Sequence, residues 1–139
     1  TQPLKYGYQP IYMKKVWLID DDPIFRAVFR QIINEINCVD QFSEFENGEL
    51  AYFELLNRND LKQLPDVIFI DISMPTMNGW QFLNATSGAQ DELPPIDVYL
   101  ISSTAPDAVK QNSQQFSYLK GHLGKPVTGD QIQTLLTAK

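Results

Sequence analysis

The chain reads as an α/β domain, an open doubly wound sheet of five parallel strands with helices on both faces. Three observations predict it. Three four-residue runs, Val16-Trp17-Leu18-Ile19, Val67-Ile68-Phe69-Ile70 and Val98-Tyr99-Leu100-Ile101, are largely β-branched or aromatic and apolar on both faces. Such runs suit parallel strands that helices cover from either side. Amphipathic stretches at helical spacing separate them. The resulting alternation of strand and helix is the signature of a layered α/β domain with right-handed crossovers.

Residues 1–13 are expected to form a loosely structured leader, because Thr1 to Tyr12 hold two prolines, a glycine and three tyrosines with no period. Residues 14–139 are expected to form one folded domain. The first strand is the run ending at Ile19. After it, Ile24, Phe25, Val28, Phe29, Ile32, Ile33 and Ile36 recur at helix spacing, with Arg26, Arg30 and Glu35 on the other side. Asp22-Pro23 opens that helix with an acidic cap and proline at the first helical position. A weaker strand fits near Val39 to Phe42. A second helix fits Gly48 to Asn57, with Leu50, Phe53, Leu55 and Leu56 apolar.

The second strong strand ends at Ile70, and a third helix begins near Asn78-Gly79 with Trp80, Phe82 and Leu83. The stretch Ala105 to Gln115, beyond the third strong strand, is polar and only weakly helical. A weak strand fits Tyr118 to Leu123, and Thr128 to Ala138 closes the chain as an amphipathic helix through Ile132, Leu135 and Leu136. Fourteen residues of this sequence follow Lys125, so within it only that helix, and no effector domain, is expected there.

Composition narrows the function. With 139 residues, 43% of them apolar, the chain suits one globular core. Seventeen acidic residues against eleven basic ones leave a net charge of −6, which argues against nucleic acid as a partner. No apolar stretch approaches membrane-spanning length and no signal peptide is recognisable, so a cytoplasmic location is expected. The lone cysteine, Cys38, suits a reducing compartment and reads as a small buried residue. One cysteine and one histidine exclude a soft-ligand zinc site, so any metal must be held by oxygen.

In doubly wound sheets the site lies outside the carboxyl ends of the strands. The residues there are Asp20-Asp21-Asp22, Asp71, Ser102-Ser103 and, after the last strand, Lys125-Pro126. Asp22 reads as the helix cap. The remaining carboxylates repel one another and call for a cation, and magnesium favours a few carboxylates plus water and phosphate oxygens. A metal, an ammonium and a hydroxyl are what a transferring phosphoryl group needs around its oxygens. A carboxylate can serve as the nucleophile and become an acyl phosphate. The residues themselves therefore point to magnesium-dependent phosphoryl transfer to an aspartate.

Four motifs in order, Ile19-Asp20-Asp21-Asp22-Pro23, Phe69 to Gly79 with its Met74-Pro75 and Asn78-Gly79, Leu100-Ile101-Ser102-Ser103 and Gly124-Lys125-Pro126, carry a resemblance. From Lys14 onward the chain resembles the receiver domain of bacterial two-component response regulators. That resemblance implies a flavodoxin-like strand order 2-1-3-4-5. It implies that Asp71 is the phospho-acceptor, Asp21 a direct magnesium ligand, Asp20 its support and the backbone carbonyl of Ser73 a further ligand. Ser102 would hydrogen-bond the phosphoryl group, and Lys125, followed by a cis bond to Pro126, would pair with its oxygen. The donor would be a histidine kinase or phosphotransfer protein. The output would be a protein contact through the fourth helix, last strand and last helix, with phosphorylation-dependent dimerisation as one form. Such a domain assists its own phosphorylation and dephosphorylation without being an enzyme for another substrate.

The sequence departs from the family at two places. His122 stands where tyrosine or phenylalanine often acts as a rotamer switch, and reads first as a packing residue and second as the switch. Ser103 stands where alanine is common. Ser73 and Thr104 occupy positions expected to influence water access. A rival reading is an aspartate-nucleophile phosphatase of the haloacid dehalogenase type, through the Asp-x-Asp spacing of Asp20 and Asp22. It needs a later acidic pair, for which Asp130 supplies one acid, and it leaves Asp71 unexplained. A third is a receiver that binds partners without phosphorylation, against which Asp20, Asp21, Asp71, Ser102 and Lys125 all speak.

Overall fold

Alternating burial along the apolar runs produces the two layers of packing that the sequence predicts. The computed structural model describes residues 13–57, 64–75, 77–88, 93–103 and 119–137. Five strands, β1 (Lys14–Ile19), β2 (Val39–Phe45), β3 (Val67–Asp71), β4 (Asp97–Ser102) and β5 (Leu119–Gly124), form one sheet in the order β2-β1-β3-β4-β5. Every pairing is parallel. Odd and even positions face opposite layers. Trp17, Ile19, Ile68, Ile70, Val98 and Leu100 pack against α2 (Gly48–Asn57) and α3 (Gly79–Ser87). Val16, Leu18, Val67, Phe69 and Ile101 pack under α1 (Pro23–Glu35) and α4 (Gly129–Thr137).

The caps follow from side-chain chemistry. The Asp22 carboxylate accepts from the Ile24 N–H at 2.9 Å, with Pro23 as the first helical residue. Asn78 and Gln81 cap α3 reciprocally, and Thr128 and Gln131 do the same for α4. The Lys125–Pro126 bond is cis, as the resemblance implies. Cys38 is buried as a free thiol.

Several boundaries and faces differ from expectation. β2 runs on to Phe45, through Ser43 and Glu44, because an edge strand tolerates polar residues. On α1 the buried residues are Phe29 and Ile33, whereas Ile24 and Val28 are 74% and 51% exposed. They lie one residue, about 100° around the helix, from the Phe25–Phe29 stripe. On α2 the core takes Ala51 and Leu55 and leaves Leu50, Phe53 and Leu56 exposed. The weak helix expected over 105–115 and the residues of the expected leader before Met13 lie outside the described residues, as does Thr104.

Candidate functional site

Parallel strands end on the same side of the sheet, so β1, β3, β4 and β5 deliver their last residues to one crevice. β1 delivers Asp20 and Asp21. The Asp20 backbone is pinned first, its N–H donating to Phe45 O of β2 at 3.0 Å. Its side chain is fully buried, and Oδ1 accepts from the Asp22 N–H at 2.9 Å. Asp21, one residue on, is exposed.

β3 delivers Asp71, which is 6% exposed. Ser73 folds back so that its N–H reaches Asp71 Oδ1 at 3.2 Å, which puts the Ser73 peptide at the rim of the crevice. Gly79, the first residue of α3, sits on the backbone of Asp71 and Ile72. A Cβ there would lie 3.0 Å from the Asp71 carbonyl oxygen. β4 delivers Ser102, 1% exposed, whose carbonyl accepts from the Lys125 N–H at 2.9 Å.

Lys125 leaves β5 and turns its ammonium onto both buried acids, 2.9 Å from Asp20 Oδ2 and 3.5 Å from Asp71 Oδ2. The same ammonium lies over the Phe25 ring, 4.3 Å from its centroid, in cation–π contact. The contact with Asp20 is ionic without hydrogen-bond alignment, so the buried Oδ2 accepts no hydrogen bond among the described residues.

Electrostatics at the crevice are unbalanced. Burial pushes the Asp71 carboxyl above its usual range, and the Asp20 charge pushes it further, against the pull of Lys125 and the Ser73 N–H. Burial works against the Lys125 ammonium, but its close contacts with the Asp20 and Asp71 carboxylates outweigh that and hold its pKa above the ordinary value. Asp20, Asp21 and Asp71 each offer an oxygen, all within 4.8 Å of one another. Three carboxylates against one ammonium leave two negative charges in excess. Oxygen donors, one of them buried with no hydrogen bond among the described residues, and an excess of two negative charges fit a hard divalent cation.

His122 lies two residues before the end of β5, opposite Leu100. Its ring is half-buried, and Nε2 is buried with no hydrogen-bond partner among the described residues. Burial lowers its pKa below the ordinary value, which favours the neutral ring. Asp130, the acid that the phosphatase reading borrows, lies in the first turn of α4.

The sequence pattern of the response regulator receiver domain matches residues 16–137. The chain belongs to that family. Solved relatives share the fold at modest identity. A two-component response regulator of Cytophaga hutchinsonii superposes with a TM-score of 0.75 at 26% identity, over 87% of this chain and 92% of that one. A signal receiver domain of Mycobacterium tuberculosis gives 0.72 at 28% identity, over 91% and 98%. Among curated relatives, the protein-glutamate methylesterase/protein-glutamine glutaminase 2 of Vibrio vulnificus is 38% identical over 90 residues, which is 64% of this chain. The matched stretch spans only 23% of that relative's length. Receiver domains take part in two-component signalling, bind magnesium in an acidic pocket and interact with histidine kinases or phosphotransfer proteins. No helix among the described residues is long and apolar enough to cross a membrane.

Of the residues expected at the crevice from strand ends, Asp20, Asp21, Asp71, Ser102 and Lys125 come together there. Two residues were not singled out by their pattern. Phe25, read as core, lies under the Lys125 ammonium. Arg26, read as part of a solvated face, donates from Nη1 to the Asp20 carbonyl at 2.7 Å. Only their positions, in the first turn and a half after an acidic strand end, could have drawn notice.

Proposed function

We propose that this receiver domain accepts a phosphoryl group on Asp71 from a phosphohistidine of a histidine kinase or phosphotransfer protein, with magnesium as cofactor. The observation that carries the reading is the convergence of the Asp20, Asp21 and Asp71 oxygens within 4.8 Å, with Lys125 against two of those acids. Asp20, Asp21, Asp71 and the backbone carbonyl of Ser73 are the residues to hold the metal. When bound, the metal supplies positive charge to the phosphoryl oxygens and offsets the repulsion between the carboxylates.

A carboxylate oxygen of Asp71 attacks phosphorus. The new O–P bond forms as the P–N bond to the donor imidazole breaks, and that imidazole leaves with the electron pair and takes a proton from solvent. Lys125 holds a phosphoryl oxygen and the Ser102 hydroxyl donates to another. The product adds charge and acceptor oxygens beside Ser102 at the end of β4. The neighbouring strand β5 carries His122, which we assign the switch role through rotation of its ring. The resulting output is a protein contact through β5, α4 and the segment between β4 and β5, and dimerisation of the phosphorylated form is one such contact. The chain is thus a phospho-accepting module acting in the cytoplasm, without an external substrate of its own.

The test is incubation with acetyl phosphate, or with beryllofluoride, in MgCl2, followed by intact-mass or ¹⁹F measurement. The expected result is one adduct, lost in Asp71→Asn and on chelation. An adduct that persists in Asp71→Asn overturns the assignment. Turnover of a phosphomonoester that is lost in Asp20→Asn and kept in Asp71→Asn favours the phosphatase instead. Equal phosphorylation-dependent partner binding or dimerisation in the wild type, His122→Ala and His122→Tyr removes the switch role.

A further inference from the structure

The exposed Asp21 carboxylate makes no hydrogen bond to any other described residue, so its aim is set by the backbone that carries it. The decisive element is the peptide joining Asp20 to Asp21. Its carbonyl oxygen, on Asp20, accepts from Arg26 Nη1 at 2.7 Å, while the Asp20 N–H is held by Phe45 of β2. Arg26 is itself fixed in the first turn of α1, its N–H donating to the Asp22 carbonyl at 3.0 Å. The chain thus leaves β1, turns at the Asp22 cap, and within six residues clasps its own strand end.

Glu44 of β2 orients the clasp. Its Oε1 lies 3.6 Å from Arg26 Nε, and the side chains of both residues are 19% exposed. Arg30, one turn further along α1, grips the same carboxylate at both oxygens, with Nη2 2.9 Å from Oε1. Planar guanidinium forks suit this shared arrangement in a way that an ammonium does not.

We propose that Arg26, oriented by Glu44, is a positioning residue for magnesium binding, fixing the peptide that aims Asp21. This rests on the metal site proposed above. The sign of the effect separates it from a bystander charge. A guanidinium near a divalent cation repels it, so charge alone predicts tighter magnesium binding once Arg26 is removed. Positioning predicts weaker binding, because supports behind metal ligands commonly contribute tenfold or more to affinity.

The experiment is a MgCl2 titration of the ¹⁵N-labelled chain, following the Asp21, Asp22 and Ser73 amides, at a temperature where each variant is folded. Arg26→Met is expected to weaken the magnesium Kd by about tenfold. Glu44→Gln should weaken it less, and the double variant no more than Arg26→Met, since Glu44 acts through Arg26. Arg26→Lys, which keeps the charge and N–H donors but loses the planar fork, should recover part of the loss. A Kd that is unchanged or tighter in Arg26→Met overturns the inference. Should Arg26→Met fail to fold, Arg26→Lys and Glu44→Gln decide it by the same criterion. Asp21→Asn separates the two levels. If wild-type amides do not respond to magnesium, or Asp21→Asn titrates like wild type, the metal site itself is wrong and the role of Arg26 falls with it.

Discussion

Asp71 carries a charge that its surroundings disfavour. Burial and the neighbouring Asp20 both favour its protonated form, and Lys125 and the Ser73 N–H only partly offset them. A carboxyl whose folded pKa lies above its unfolded value supports the fold at low pH and loses that support as pH rises through the folded pKa. Asp71→Asn should therefore be more stable than wild type at pH 7.5 in the absence of metal. The expected gain in Tm is roughly 2–5 °C. The gain should vanish as pH falls below the ordinary carboxyl value of 3.8. His122 has the opposite fault: its lowered pKa makes the unfolded chain bind the proton more readily, so stability falls as pH drops through and below 6.5. Comparing Asp71→Asn with wild type by calorimetry at each pH cancels that shared contribution. A less stable Asp71→Asn at pH 7.5, with chelator present, would contradict this account of the site.

At the scale of elements, the junction of β3 with α3 is the tightest constraint on the site. A Cβ at Gly79 would meet the Asp71 carbonyl oxygen and Ile72 Cα at 3.0 Å and Leu100 Cδ2 at 3.2 Å. Two of those neighbours are backbone and cannot swing aside. Gly79→Ala should cost about 1–3 kcal/mol in urea unfolding and shift the Asp71 and Ile72 amides. Gly88, at the other end of α3, has right-handed helical torsions and its nearest neighbour at 3.7 Å. Gly88→Ala should be neutral or stabilise by up to about 1 kcal/mol. A reversed order would show that close approach at Gly79 is not what sets the junction. These elements also show what a sequence can reveal. β1, β3 and β4 are legible because both faces of each are apolar. The apolar pattern of β2 stops at Phe42, whereas its edge position lets Ser43 and Glu44 join the strand, which no local pattern marks. The acids and Lys125 were legible as residues following strands. Arg26 and Phe25 were not, since a polar-face arginine and a core-stripe phenylalanine look the same whether or not they brace a site.

At the scale of the molecule, the fold spends charge repulsion on function. Half of the net charge of −6 comes from Asp20, Asp21 and Asp71, and β1 and β3 bring all three together in one crevice. Lys125 from β5 compensates one of the three charges, so the metal-free domain folds against an excess of two. A cation that binds only the folded crevice must then stabilise the whole domain by linkage. At ten times its Kd, magnesium should add about 1.4 kcal/mol, and Tm should climb with the logarithm of concentration beyond that point. Thermal melts in MgCl2 at constant ionic strength, balanced with NaCl, separate this binding from general screening of the acidic surface. Asp21→Asn should lose most of the magnesium-dependent rise while its metal-free Tm stays at or slightly above that of wild type, because Asp21 is exposed, supports no buried contact and adds to the repulsion among the three acids. An equal rise in Asp21→Asn and wild type, or an equal rise with NaCl alone, would mean that the acidic crevice is merely a screened patch. The excess of two charges would then have no specific partner.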